Sequence, residues 1–151
     1  MPAEKRADKH SYGDSQLDLR SELLDYSRAN GYVIDHYADA VCHCGGQQFE
    51  LHVDEAEGVA GRVCLTCGDQ HVMADGEDYL DEAELEVCQC LCGGEVFEIT
   101  VGVHLYRDTE GPTEDVRWLY VGGRCPACGL LGCYADWKSE FSDYKELLAS
   151  I

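Results

Sequence analysis

The sequence predicts a small α+β protein, mainly antiparallel β, in which two tandem cysteine-bearing hairpin units are framed by an N-terminal helix and a short C-terminal helix. Three observations predict it: a cysteine-containing block that occurs twice, period-two alternation of apolar residues inside each copy, and capping signals near both ends of the chain. At 151 residues with 10 cysteines, each unit is small for a hydrophobic core alone and needs cross-links.

The repeat is direct. Cys42-His-Cys44-Gly-Gly-Gln-Gln-Phe49-Glu-Leu-His-Val53 realigns on Cys90-Leu-Cys92-Gly-Gly-Glu-Val-Phe97-Glu-Ile-Thr-Val101 at an offset of 48, with seven of twelve positions identical. A second block follows in each copy: Cys64-Leu-Thr-Cys67-Gly with Ala74-Asp75 downstream, and Cys125-Pro-Ala-Cys128-Gly with Ala135-Asp136 downstream, an arginine just preceding each (Arg62, Arg124). Each copy thus reads Cys-x-Cys-Gly-Gly, a strand, a return strand, Cys-x-x-Cys-Gly and a third strand. Between the inner cysteines lie 19 residues in the first copy and 32 in the second, which places a 13-residue insertion in the second hairpin.

The strands follow from alternation. Phe49, Leu51 and Val53 share one side of the first copy, and Phe97, Ile99, Val101, Val103 and Leu105 share one side of the second. Val116, Trp118 and Tyr120 mark its return strand, and Asp108 to Asp115, rich in turn formers and acids, reads as the loop between. The first copy's loop is short, around Asp54 to Gly58. One-sided alternation implies one apolar face per hairpin, and two such faces are expected to pack together.

Ser15 can cap a helix carrying Leu17, Leu19, Leu23, Leu24 and Tyr26 that stops at Asn30-Gly31, because glycine readily takes the left-handed conformation that ends helices. Asp143 can cap a second helix over Tyr144 to Ser150, with Leu147, Leu148 and Ile151 as its apolar side. The expected organisation is a disordered tail over residues 1–12, the helix and a connector over 13–39, the first unit over 40–76, the second with its extended hairpin over 77–138, and the C-terminal helix over 139–151.

The N-terminal residues carry charges where a signal peptide has its apolar stretch, and no apolar run is long enough to cross a membrane. A cytoplasmic setting is therefore expected, and there closely spaced cysteine pairs hold metal more often than they form disulfides. Four thiolates around zinc form a tetrahedron, which requires two close pairs on tight turns that approach each other. Cys42, Cys44, Cys64 and Cys67 supply one such set and Cys90, Cys92, Cys125 and Cys128 the other. Glycine after the second cysteine of each pair suits a turn with positive φ whose amides face the sulfurs.

This pattern resembles the zinc-ribbon superfamily over roughly residues 40 to 76 and 88 to 138, departing from its commonest version in having Cys-x-Cys at the first knuckle. The resemblance implies two tandem zinc β-ribbons, each gripping one structural ion between two cysteine-bearing knuckles. Rubredoxin-like iron takes the same ligands, but that family has Cys-x-x-Cys at both knuckles, so zinc is favoured. Cys88 and Cys133 remain over. Their counterparts Ala40 and Val72 are apolar, which reads as two buried free thiols; the alternative is that Cys88 exchanges with a ligand or pairs with Cys133 in redox or metal-handling chemistry. His43 and His71, in and after knuckles, read as surface residues and not as ligands.

Composition narrows the function. Thirty acidic residues against 11 Lys and Arg give a net charge of −19, which repels phosphates and disfavours direct nucleic-acid binding by this surface. Closed four-cysteine sites leave no position for water or substrate, and the chain has no His-Glu-x-x-His, no Gly-rich phosphate loop, no nucleophile elbow and no His-x-Glu ahead of its cysteine pairs, so a non-catalytic role is expected. Acids mixed with aromatic residues (Tyr106, Trp118, Tyr120, Tyr134, Trp137, Phe141, Tyr144) suit binding to a basic protein, for instance as an inhibitor or immunity protein of a nuclease-like toxin. Asp108, Glu110, Glu114, Asp115, Trp118 and Trp137 are the candidate contact residues. The other reading of these aromatics is plain ribbon core. Two further functional readings are an accessory zinc-ribbon protein of a transcription or other nucleic-acid machine, docking through protein contacts, and the redox protein named above.

Overall fold

The computed structural model describes residues 11–151. Of the tail expected over residues 1–12, residues 1–10 lie outside that range, whereas Ser11 and Tyr12 are ordered and form a short strand, β1 (Ser11–Tyr12), against Leu131 and Leu130. Helix α1 (Gln16–Asn30) begins at Ser15, whose side chain accepts from the Asp18 amide, and ends at Gly31 with φ 95°, as its capping residues predict. The strands are β2 (His36–Asp39), β3 (Phe49–Asp54), β4 (Val59–Cys64), β5 (Gln70–Val72), β6 (Glu86–Val87), β7 (Glu98–Asp108), β8 (Gly111–Arg124) and β9 (Leu130–Ser142), with a 3-10 helix at Gly76–Glu82 and α2 at Tyr144–Leu148.

These strands make two antiparallel sheets, ordered β1-β9-β8-β7-β2 and β5-β4-β3-β6. The 13 extra residues of the second copy lengthen strands instead of opening a loop: β3 and β4 have 6 residues each, β7 and β8 have 11 and 14. The loop expected over Asp108 to Asp115 is accordingly corrected to a tight turn at Thr109-Glu110, with Asp108 paired to Gly111 and Asp115 already paired to Ser142. Its acids are exposed on both faces because the hairpin tip extends past the core, so no apolar alternation marks it as strand.

The two apolar faces pack together as expected. Phe49, Leu51 and Ala60 of the small sheet share one buried cluster with Phe97, just ahead of β7, and with Ile99, Val101, Val103 and Leu105 of the large sheet. The large sheet also buries its other face, under α1, where Leu19, Leu23, Ile34, Tyr120 and Leu131 form a second cluster. Burial along β7 is therefore continuous from Ile99 to Leu105, the pattern of a strand covered on both sides. The return strand does not keep Val116, Trp118 and Tyr120 on one face. A register shift between Val116 and Trp118 inserts Arg117 as an extra residue, so Val116 faces the inter-sheet cluster while Trp118 and Tyr120 face α1.

Glycines in the sheet let the helix approach. A Cβ on Gly122 would lie 2.7 Å from both Leu23 methyl carbons, and one on Gly102 would lie 2.7 Å from Ile34 Cδ1. Leu23 is fully buried and cannot give way. Gly122→Ala is expected to destabilise the protein by about 1–3 kcal/mol through overpacking, read as a lowered urea midpoint; an unchanged midpoint would show that α1 can shift off the sheet.

The repeat has a reciprocal layout that sequence comparison does not reveal. The segment leading into the first knuckle, β2, pairs with β7 of the second copy, and the segment leading into the third knuckle, β6, pairs with β3 of the first. Equivalent residues make equivalent bonds: the Ala40 amide donates to Ile99 O and the Cys88 amide to Leu51 O, both at 2.8 Å. At the centre, the Phe49 and Phe97 amides donate to each other's carbonyls, again at 2.8 Å.

Candidate metal centres

Each metal-binding set is built from two turns held by the same pair of backbone bonds. In the first knuckle the Cys42 amide donates to Gly46 O at 2.8 Å and the Gly45 amide to Cys42 O at 2.7 Å; in the third, Cys90 donates to Gly94 O at 2.7 Å and Gly93 to Cys90 O at 2.8 Å. The Cys-x-x-Cys knuckles close one residue later, Gly68 donating to Cys64 O at 2.8 Å and Gly129 to Cys125 O at 2.7 Å. Gly45, Gly68, Gly93 and Gly129 have φ of 91°, 79°, 96° and 84°, a region costly for any residue with a Cβ. Glycine after each cysteine pair is thus a requirement of the turn.

These turns bring the predicted ligands together. The Sγ atoms of Cys42, Cys44, Cys64 and Cys67 lie within 4.8 Å of one another, as do those of Cys90, Cys92, Cys125 and Cys128. The facing pairs are 3.5 Å (Cys42–Cys67), 3.6 Å (Cys44–Cys64), 3.5 Å (Cys90–Cys128) and 3.7 Å (Cys92–Cys125) apart. Metal–sulfur bonds of about 2.3 Å in a tetrahedron set neighbouring sulfurs about 3.8 Å apart, so both cages fit a four-thiolate ion with little movement. Each cage has one buried and one exposed cysteine per knuckle. The inner cysteines anchor it in the core, and the outer ones complete it at the surface.

Backbone amides aimed at the sulfurs favour the thiolate. The Cys67 amide, with Thr66's, donates to Cys64 and brings that thiol down to about 6; the Gly94 amide does the same for Cys92, down to about 7. Their neighbours move the other way. Cys67 is pushed up to about 12: the Asp69 amide favours its thiolate, but hydrogen bonding with Cys42 and burial outweigh it. Burial raises Cys90 and Cys128 as well. Four thiols this close cannot all ionise by themselves, and a bound divalent cation removes that conflict by neutralising the charge.

His43 and Asp69 lie beside Cys42, with His43 Nε2 3.5 Å from Asp69 Oδ2, both exposed. Asp69 was not singled out by the sequence because nothing in its spacing marks it. His71 is half-buried and its Nε2 lies 2.7 Å from Ser150 O, so it ties the end of α2 to the small sheet. Cys88 sits in the inter-sheet cluster and Cys133 packs against the cluster under α1. They lie on opposite faces of the large sheet and both are free thiols. Burial pushes them up to about 11 and about 12 respectively, with the Asp136 carboxylate adding to the effect at Cys133. Neither is poised as a nucleophile.

The candidate contact residues do not form one surface. Asp108, Glu110, Glu114 and Asp115 are exposed at the β7–β8 tip, where Glu114 Oε2 pairs with Lys145 Nζ at 3.0 Å. Trp118 packs under α1, stacked on Tyr32 at 4.6 Å, whereas Trp137 packs against the inter-sheet cluster on the opposite face. Tyr120 is fully buried, and Tyr106, Trp118, Tyr134, Trp137, Phe141 and Tyr144 are half-buried. Most of the aromatic residues of the second copy therefore serve the core.

Fold and site define a mainly antiparallel β protein with two four-cysteine clusters at metal-binding distance, an arrangement consistent with a pair of zinc-binding ribbons. No protein-family model, curated protein or solved structure matches the chain. Among the described residues, no helix is long and apolar enough to cross a membrane.

Proposed function

We propose that this is a non-catalytic protein that holds two structural zinc ions and binds a basic protein through its acidic surface. The observation that carries this reading is the closure of both cages: the four sulfurs of each lie within 4.8 Å of one another, and the outer thiols of Cys44, Cys67, Cys92 and Cys128 are engaged by backbone amides, so a bound ion has no position left for water or substrate. A net charge of −19 then leaves the surface as the working part, and it favours a basic partner both in rate and in selectivity. Iron would occupy the same cages; zinc is preferred for the Cys-x-Cys knuckles. A specific form of the reading is an inhibitor or immunity protein that covers a nuclease-like toxin.

Native mass spectrometry with thiol alkylation tests the metal half. Two zinc ions per chain with Cys88 and Cys133 unmodified are expected, and fewer ions or ready modification of the spare thiols would favour the redox alternative. Affinity capture at low ionic strength tests the partner half. A discrete basic protein should be retained and released as salt screens the charges. Recovery of an RNA polymerase or replication component would instead support the accessory-protein alternative, and retention of nothing basic would overturn the proposal.

A further inference from the structure

Between the small sheet and the outer end of β9 lies a cavity of about 190 Å³ whose wall includes Glu57, Gly58, Asp75, Tyr79, Trp137 and Ser139. Its residues come from three separate stretches: the β3–β4 turn, the 3-10 helix with its cap residue, and β9. The β9 part is irregular, because Val116 pairs with Phe141 while Trp118 pairs with Lys138, so Ser139 and Glu140 together oppose Arg117. A bulge of this kind re-aims side chains and is common beside binding sites.

Three features of this cavity have no use in the fold. Ser139 is 5% exposed, and its hydroxyl has no hydrogen-bond partner, an uncommon condition for a buried polar group. Asp75 occupies the cap position of the 3-10 helix but its side chain makes no capping bond, and burial, with Asp78 adding charge, raises its pKa above the ordinary carboxylate value. Among the described residues, no cation pairs with Asp75 or Glu57. The one cation on the rim, Lys138, is directed to Glu140, Nζ to Oε2 at 3.5 Å.

The repeat supplies a comparison inside the molecule. Asp136 stands where the second copy has its equivalent of Asp75, and both its oxygens are satisfied: Tyr26 donates its hydroxyl to one at 2.7 Å and Trp118 its indole N–H to the other at 3.0 Å. Around Asp75 a tyrosine and a tryptophan are again present, but neither is bonded to it. Tyr79 is half exposed, and Trp137 lies with Cδ1 and Nε1 against Gly58, where a Cβ would come within 3.2 Å. Helix α1 completes the second copy's aspartate, and nothing in the chain's described part completes the first's.

We propose that this cavity is an anchor site for an arginine side chain of the partner protein, the guanidinium lying on the Trp137 indole and donating to Asp75 and Glu57. The chemistry selects arginine. A planar guanidinium stacks on an aromatic face and donates in several directions at once, so it can satisfy both carboxylates together, whereas an ammonium is compact and strongly hydrated. The acids that line the neighbouring cavity, Asp54, Glu82, Glu84 and Glu86 with the shared Glu57, extend the negative field that brings such a side chain in. This site rests on the basic-partner reading above and gives it an address.

Titration of the metal-loaded protein with N-acetyl-arginine amide, followed by NMR, tests it. Saturable shifts are expected at the Trp137 indole and the Ser139 amide with the Trp118 indole unmoved. Asp75→Asn, and separately Tyr79→Ser, should weaken binding at least tenfold while leaving metal content and the rest of the spectrum unchanged. N-acetyl-lysine amide should bind at least threefold more weakly. No saturable shift at Trp137, a shift indifferent to both substitutions, or equal affinity for the lysine probe would overturn the assignment. The two proposals fail separately: a basic protein retained equally by wild type and Asp75→Asn removes the anchor site alone, whereas arginine amide binding without retention of any basic protein removes the partner.

Discussion

Cys64→Ser is expected to cost the protein one metal ion and its cooperative fold. Binding to a structural four-thiolate site contributes on the order of 10–16 kcal/mol in small metal-folded units, against total stabilities of about 5–15 kcal/mol for whole domains. Because β4 carries Cys64 and β3 pairs with the lead strand of the second copy, the loss spreads beyond one cage. Native mass spectrometry should show one ion in place of two, and the thermal transition should broaden or vanish; a variant that keeps two ions or an unchanged transition would show the cage to be dispensable. Acid should act the same way. The Cys64 thiol is depressed to about 6 from an ordinary 9.0, so across that interval the unfolded chain binds more protons than the folded one. Its contribution is complete above the ordinary thiol value and lost as pH falls through about 6, where protons also displace the metal.

Phe97→Ala is the largest expected effect outside the cages. The ring is fully buried at the junction of the two sheets, packed edge-on to Tyr134 with centroids 4.7 Å apart, and its backbone is bonded both ways to Phe49. Removing it leaves a cavity that rigid strands on both sides cannot close, at a cost of about 3–5 kcal/mol. Urea unfolding at saturating metal measures this directly, and a loss below about 1 kcal/mol would mean that the two sheets do not depend on each other at this point. The double variant with Phe49→Ala should cost less than the sum of the singles, since the two residues share one site.

These expectations rest on features of unequal legibility. The ligand sets could be read from spacing because a tetrahedral ion imposes close pairs and positive-φ glycines, constraints that act within five residues of chain. Helix α1 was legible for a similar reason: Ser15 and Gly31 do their capping locally. β2 and β6 were not, being four and two residues long and without alternation, and their partners lie in the other copy, where no local signal points. The phase of β8 was misread because a single extra residue at Arg117 turns the following side chains to the other face. The cavity beside Trp137 was invisible for the same reason as the exchanged strands, since its three stretches meet only through the packing of one sheet on the other.

The exchange of β2 and β6 between the copies bears on how such a chain arises. A single cysteine unit of this kind, alone, would offer a bare edge on its first hairpin strand and carry a lead segment with nothing to pair with; two identical units could satisfy both needs by trading segments about a two-fold axis. Joined end to end, such units would give the connectivity seen here, with Phe49 and Phe97 bonded to each other where that axis would pass. Within one chain the two halves need not match. One carries the long hairpin and a helix over its outer face, and the other the short hairpin, with an aspartate left open to something outside the molecule.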